Sequence, residues 1–77
     1  MARAGKKPSV DQLAALFGIL SDRTRLRIVE MLSRECCSVS AIVEATGRSQ
    51  PLISHHLRIL RESGLAATER KGALTFY

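Results

Sequence analysis

The sequence predicts a mostly α-helical domain of four short helices that ends in a small β-hairpin. Its 77 residues allow one domain. Up to Leu60, apolar residues recur at helical spacing, in segments that each begin with a Ser or Asp able to cap a helix. After Gly64 the spacing changes to two short stretches with residues that favour strands. These three observations define the expected order of elements.

The composition restricts the class of protein and of partner. Hydrophobic residues make up 45% and charged residues 25% of the chain, and these ordinary globular values exclude a disordered tail or a collagen-like chain. The longest nearly uncharged apolar run, at 13–20, has eight residues, far fewer than the roughly 20 of a membrane span. No apolar signal-peptide core follows the basic start, so we expect a cytoplasmic protein. The net charge of +5 favours an anionic partner, nucleic acid first.

The positive charge is unevenly distributed along the chain. Residues 21–47 are neutral, whereas residues 1–20 carry a net charge of +2 and residues 48–77 a net charge of +3. We expect residues 1–8 to form a basic flexible tail and residues 9–77 to form the folded domain. The excess charge of that domain therefore lies on its carboxy-terminal part.

The first two helices are predicted from capping residues and apolar spacing. Ser9 and Gln12 form the S-x-x-Q pattern of a capping box, and residues 21–22 restart the chain before a second helix that runs to about Ser33. The first helix is apolar on nearly every side, so it has more apolar surface than the core of so small a domain can bury. We therefore expect it to contact a second copy of the chain. The residues expected in that dimer interface are Val10, Leu13, Leu16, Phe17 and Leu20.

The middle of the chain predicts a helix-turn-helix. Ser38 can cap a short third helix that Gly47 ends. Ser49 can cap a fourth helix, with Pro51 in the first turn, where a missing N–H costs little. Gly64 ends that helix. A short helix, a tight turn and a second helix in this order form a helix-turn-helix.

A hairpin with a basic turn is predicted after the fourth helix. Residues 65–69 and 73–77 are the expected strands, and Arg70-Lys71-Gly72 is the expected turn. The order α1-α2-α3-α4-β-β is that of a winged helix-turn-helix.

The fourth helix carries the residues that we expect to contact DNA. At 100° per residue, Ile53, Leu57 and Leu60 share one face, and the opposite face carries short donors, an imidazole and guanidinium groups. Such side chains can contact base edges or hold phosphates in a major groove. The alternative to a DNA-contacting helix is an amphipathic helix whose polar face is only solvated. The preceding turn and the basic hairpin favour the DNA-contacting helix. The residues expected to contact bases are Gln50, Ser54, His55 and Arg58, and those expected to hold phosphates are Arg48, Ser49, Arg61, Arg70 and Lys71.

Three segments resemble the ArsR/SmtB family of repressors. Residues 20–28, LSDRTRLRI, are similar to the family's "LSDPTRLRIL" stretch, and residues 49–65, SQPLISHHLRILRESGL, look like its "SQPTVSHHLRVLREAGL" recognition segment. Residues 70–77, RKGALTFY, are similar to its wing, "RREGRWVYY". The resemblance covers about residues 10–77. It implies a homodimeric repressor that binds an inverted repeat of double-stranded DNA near its own promoter and leaves when an effector binds.

The resemblance also bears on how the chain would dimerise. In the family a carboxy-terminal helix forms half of the dimer interface, and this sequence stops at Tyr77, after the wing. We therefore expect that helix to be absent and dimerisation to depend on the first helix. The alternative function is a winged-helix module that docks another protein through this helix and does not bind DNA.

Cys36 and Cys37 leave two interpretations open. Adjacent thiols suit a soft metal or metalloid ion such as As(III), and low-pKa thiolates suit reversible oxidation, although two thiolates leave such an ion short of a third ligand. The metal-binding "CVC" stretch of family sensors aligns with Ser38-Val39-Ser40, where hydroxyls replace both thiols. In the other interpretation each Cys is a small buried hydrophobe. No cofactor is therefore certain from the sequence.

The sequence contains no combination of residues typical of an enzyme. The acidic residues do not share a helix face with a nucleophile and a base, and the five glycines form no phosphate-binding loop. The expected function is therefore that of a DNA-binding transcriptional regulator.

Overall fold

The computed structural model of the chain describes residues 8–72 and 74–77. Residues 1–7 of the expected basic tail lie outside them. None of the helices in the described part is long and apolar enough to span a membrane. The order of elements is the predicted one: α1 Val10–Leu20, α2 Arg23–Leu32, α3 Val39–Thr46, α4 Gln50–Glu62, β1 Glu69–Lys71 and β2 Leu74–Phe76.

Each helix begins after a side chain that caps it. In α1 the Gln12 N–H donates to Ser9 Oγ at 3.1 Å, and the Ser9 N–H donates to Gln12 Oε1 at 2.8 Å. The side chains of Asp22, Ser38 and Ser49 accept a backbone N–H from the first turn of α2, α3 and α4. Each such cap stabilises a helix by about 1 kcal/mol. The helix starts follow from local sequence because capping is a local interaction.

Glycines with positive φ end the two helices of the helix-turn-helix. Gly47 has φ +71° at the end of α3, and Gly64 has φ +83° just after α4. A Cβ atom would be strained in this left-handed conformation. The turn between α3 and α4 is therefore only three residues long, from 47 to 49.

The core lies where α4 packs against α2 and α3. Five side chains are 0% exposed, and Cys37 is 7% exposed beside them. Because α4 supplies three of the five, burial fixes which face of this helix points outward. Helix α1 packs against α2 and contributes no fully buried residue. The five side chains are Ile28, Ile42, Ile53, Leu57 and Leu60.

The hairpin is shorter than predicted and is shifted along the chain. The predicted first strand, 65–69, is wrong for most of its length: β1 starts at Glu69, so Arg70 and Lys71 lie in a strand and not in the turn. The reason is tertiary, since Leu65 and Ala66 pack on the core and both donate a backbone N–H to the carbonyl of residue 60. The pairing is antiparallel, with Glu69 opposite Phe76 and Arg70 opposite Thr75.

A segment before α3 pairs with the hairpin, which the sequence did not predict. Ser38 forms an antiparallel bridge with Phe76. The Cys37 N–H donates to the Tyr77 carbonyl at 3.0 Å, and the Tyr77 N–H donates to the Cys37 carbonyl at 2.8 Å. These contacts attach the hairpin to the start of the helix-turn-helix and set its position relative to α4.

Candidate nucleic-acid interface

The outer face of α4 is exposed along its whole length. Each of the four side chains expected to contact bases lies there, and so does Arg61. The ion pairs among the described residues, Glu30–Arg34 and Glu69–Lys71, involve none of them. The guanidinium groups of this face therefore keep their donors available for a ligand. We call these residues the α4 outer face: Gln50, Ser54, His55, Arg58 and Arg61.

The start of α4 combines a cap with a cation. Ser49 Oγ accepts the Leu52 N–H at 3.3 Å, so the predicted phosphate-binding hydroxyl also caps the helix. Arg48 is exposed immediately before it. Pro51 has no N–H and the cap uses that of Leu52, so the Gln50 N–H and the positive end of the helix dipole remain to favour an anion here. The predicted pair of residues thus lies at a position suited to a phosphate.

The hairpin and the start of α4 border a common groove. Gln50 of α4 and Thr75 of β2 line it together with residues of α3, and its volume is about 640 Å³. Arg70 and Lys71 are exposed on β1. The ion pair of Lys71 with Glu69 spans 3.8 Å between largely exposed groups, and such pairs stabilise little. Their exposure leaves both hairpin cations accessible to a ligand.

The buried His56 ties α4 to α2. His56 is 6% exposed, and its Nδ1 lies 3.1 Å from Arg25 Nη1. Arg25 Nε in turn donates to the Ile19 carbonyl at 2.7 Å. A guanidinium can only donate, so Nδ1 of His56 accepts and carries no proton. Nothing in the sequence indicates this contact, because the two residues are 31 positions apart.

The protonation of His56 is opposed by its surroundings. Burial lowers the pKa of His56, the Arg25 and His55 charges lower it further, and only the Asp22 carboxylate acts in the opposite sense. Below about pH 6.5 the unfolded chain therefore binds a proton that the folded chain resists. Stability from this residue is complete above that pH and decreases as the pH falls. The lowered pKa of Asp22 acts only below its ordinary value of 3.8 and leaves this window unaffected.

We expect the urea midpoint of unfolding to fall when the pH is lowered from about 7.5 to about 5. His56→Gln removes the titrating ring and keeps an oxygen that Arg25 can donate to, so its midpoint should depend less on pH in this range. His55→Gln, at an exposed position, is the matched control, and it should keep most of the wild-type pH dependence, because the His55 charge has the smallest of the influences that shift the pKa of His56. A pH dependence that is unchanged in His56→Gln would contradict the assignment.

The apolar face of α1 is largely left uncovered by the rest of the described residues. Val10 is 81%, Phe17 68% and Leu13 38% exposed. Leu16 and Leu20 are half-buried. All five residues predicted for the dimer interface are thus at least partly accessible.

The two cysteines lie in different environments. Cys37 is packed in the core with its Sγ donating to the Glu35 carbonyl at 3.5 Å. Burial raises the pKa of Cys37, and Glu35 and Cys36 raise it further, which disfavours the thiolate that metals bind. Cys36 is exposed beside a cleft of about 390 Å³ that Leu65 and Tyr77 also line.

The donor set therefore does not fit a metal centre within one chain. Within the part that the structure describes, no three His, Cys, Asp or Glu side chains are grouped to hold an ion. Cys37 is buried, as a cysteine that packs as a small hydrophobic residue would be, whereas Cys36 is accessible to solvent.

Sequence comparisons identify relatives across most of the chain. Residues 22–68 match the profile of the family described as "Bacterial regulatory protein, arsR family". The arsenical resistance operon repressor of Escherichia coli (strain K12) is 48% identical over 64 residues, which are 80% of this chain and 54% of that protein. A cadmium resistance transcriptional regulatory protein (CadC homolog) of Staphylococcus aureus is 39% identical over 69 residues, covering 84% and 54%. The chain thus spans about half the length of these curated relatives.

A solved structure shares the fold. The homodimeric winged helix-turn-helix DNA-binding domain of a possible ArsR-family regulator from Mycobacterium bovis superposes with a TM-score of 0.81. It is 30% identical, and the match covers 97% of this chain and 73% of that one. Profile, identity and fold agree: the chain has a winged helix-turn-helix fold and belongs to the arsR family of bacterial regulatory proteins.

Proposed function

We propose that the chain is a sequence-specific DNA-binding transcriptional repressor that places α4 in a major groove. The observation that carries this proposal is the division of α4 into two faces. Its inner face buries Ile53, Leu57 and Leu60, and its outer face presents exposed polar side chains that form no ion pair with the described residues. In a major groove, the side-chain amide of Asn or Gln can form two hydrogen bonds with adenine, and the guanidinium of Arg can form two with guanine. The base-contacting residues of the proposal are Gln50, Ser54, His55 and Arg58.

Phosphates on either side of the groove would bind two groups of cations. Arg48, Ser49 and Arg61 flank the base-contacting residues on the helix-turn-helix, and Arg70 and Lys71 extend from the hairpin. Contacts to phosphates position a protein on a duplex without selecting a sequence. This division of labour separates the residues that determine affinity for all DNA from those that determine specificity.

We infer that the repressor acts as a homodimer through α1. Support comes from the exposure of Val10 and Phe17 and from the similar Mycobacterium bovis domain, which is described as homodimeric. A twofold dimer presents two copies of α4 to two half-sites of an inverted repeat. The inverted repeat of double-stranded DNA is therefore part of the proposal.

The names of the relatives refer to resistance functions, and these names alone do not indicate an ion-binding site in this chain. Those names concern arsenicals and cadmium. Here the core position and raised pKa of Cys37 leave Cys36 as the thiol that As(III) or an oxidant would meet first. One accessible thiol in a chain is fewer than the ligands that a soft ion requires.

Selection from a random-sequence duplex pool tests the proposed function. We expect the wild-type protein to enrich an inverted repeat whose half-sites are centred about one helical turn, or a multiple of it, apart. The mass of the complex should correspond to two chains of 8.5 kDa on each duplex. Failure to retain any duplex at about 0.15 M salt would instead favour a module that docks another protein.

The hairpin cations have a measurable effect on the salt dependence of binding. We expect Arg70→Gln and Lys71→Gln each to reduce the magnitude of the slope of log K against log salt concentration by about 0.9 for each bound chain. The loss of affinity should be equal on selected and random duplexes, because phosphate contacts carry no sequence information. Titrations by fluorescence anisotropy at several salt concentrations measure both quantities. Unchanged slopes in both variants would remove the hairpin from the interface.

A further inference from the structure

A small cleft with three arginines lies between α2 and the turn that precedes α4. The described residues that line it are Arg23, Thr24, Arg27, Thr46 and Arg48, and its volume is about 100 Å³. No carboxylate is among them. The volume is well below the roughly 300–1,000 Å³ of pockets for organic ligands, so a compact group is the ligand that fits.

The charges of this cleft are not neutralised by the protein that surrounds it. Neither ion pair found in the described part of the chain involves any of the three arginines. Asp22, the acidic neighbour of Arg23, has its carboxylate engaged with the Arg25 N–H at 3.0 Å as the cap of α2. Among the described residues, three guanidinium groups therefore share this space with two threonine hydroxyls and no carboxylate.

Hydrogen bonds hold the walls of the cleft in place. Arg27 Nη2 donates to the Ala45 carbonyl at 2.8 Å, which links α2 to the end of α3. Thr46 Oγ1 donates to the Ile42 carbonyl at 2.8 Å and accepts the Arg48 N–H at 3.3 Å. Arg27 uses one of its five donors in this way, and the side chains of Arg23 and Arg48 remain exposed. The arrangement is thus organised before any ligand binds.

Forked guanidinium donors are suited to phosphate oxygens. The position of the cleft indicates where that phosphate would come from. Arg48 directly precedes Ser49, the cap of α4. The cleft therefore adjoins the amino-terminal end of α4, where Gln50 lies. A duplex whose major groove holds this end of α4 has its backbone close by.

We propose that the cleft binds one backbone phosphate of the duplex, which brings Arg23 and Arg27 of α2 into the DNA footprint together with Arg48. This inference rests on the proposed function, since it needs α4 to bind DNA. It adds a contact from a segment whose charges cancel along the sequence. The fold separates those charges: Arg23 and Arg27 lie at the cleft, and the Glu30–Arg34 pair joins the last turn of α2 to the residues that follow it, exposed to solvent.

Arg23→Gln tests the proposal, with Arg34→Gln, just beyond the other end of α2, as the matched control. We expect Arg23→Gln to lower the salt slope by about 0.9 for each bound chain and to weaken selected and random duplexes alike. Arg34 is paired with Glu30 and has a side chain that is 74% exposed, and its replacement should leave the slope unchanged. Arg23→Lys should keep the slope, because it keeps the charge. Equal slopes for Arg23→Gln and Arg34→Gln would overturn the proposal.

Duplexes with single neutral methylphosphonates locate the contact and distinguish the two possible failures. We expect one position in each half-site at which neutralisation weakens the wild type more than it weakens Arg23→Gln, which retains Arg27 and Arg48 at the cleft. If every position affects both proteins alike, the cleft does not hold a DNA phosphate. If the wild type binds no duplex at all, the proposed function itself fails. Unfolding midpoints in urea confirm that the variants compared are equally folded.

Discussion

Replacing Leu57 by Ala is expected to lower the free energy of unfolding by about 2–5 kcal/mol. Leu57 is 0% exposed and belongs to the cluster in which α2, α3 and α4 meet. The domain as a whole is expected to be stable by about 4–12 kcal/mol, at about 0.05–0.15 kcal/mol per residue. The substitution therefore removes a large share of the total stability. Urea unfolding followed by circular dichroism at neutral pH measures the loss.

Leu26→Ala is the matched control, with the same chemical change at a side chain that is 49% exposed. We expect it to cost less than about 1 kcal/mol, because about half of the Leu26 surface already faces water. If Leu57→Ala were no more destabilising than Leu26→Ala, the inner face of α4 would not be the core of the domain. The assignment of the opposite face to DNA would then lose its basis.

Replacing Arg58 by Ala is expected to weaken binding to the selected duplex by about 1–3 kcal/mol for each half-site, or about 5- to 150-fold. Arg58 is exposed at the middle of the α4 outer face and has no acidic partner among the described residues. A bidentate contact to a guanine would be lost at that position. Binding to random duplexes should change far less, so the ratio of the two affinities is the quantity to measure.

Arg34→Ala serves as the control, because it removes the same charge from a different surface of the protein. We expect its affinity ratio to equal that of the wild type. Unchanged affinity of Arg58→Ala for both selected and random duplexes would contradict the major-groove assignment. An equal loss on both would instead make Arg58 a phosphate contact.

The helices could be predicted from the sequence because their signals are local. The capping box of Ser9 and Gln12, and the caps of the other three helices, act within one turn. The hairpin was placed wrongly because Leu65 and Ala66 follow the core and not their strand propensity. The pairing of Cys37 with Tyr77 joins positions 40 residues apart along the chain, and no local pattern encodes it.

The candidate site was predictable to the extent that a single helix encodes it. The spacing of Ile53, Leu57 and Leu60 defines the buried side of α4, so it also defines the exposed side. The cleft could not be found in this way, since it joins two segments that are separate in the sequence. The net charge of residues 21–47 is zero, so the sum along the sequence gives no sign of Arg23 and Arg27. In the fold, none of the acidic residues of this segment is among those that line the cleft.

The surface that we expect to meet DNA is the α4 outer face and not α1. Amide NMR spectra of the labelled protein, recorded with and without the selected duplex, test this expectation most directly. We predict the largest shifts from Arg48 to Arg61 and at residues 69–72 of the hairpin. A duplex that shifts only α1, or that leaves every amide of α4 unchanged, would contradict the account.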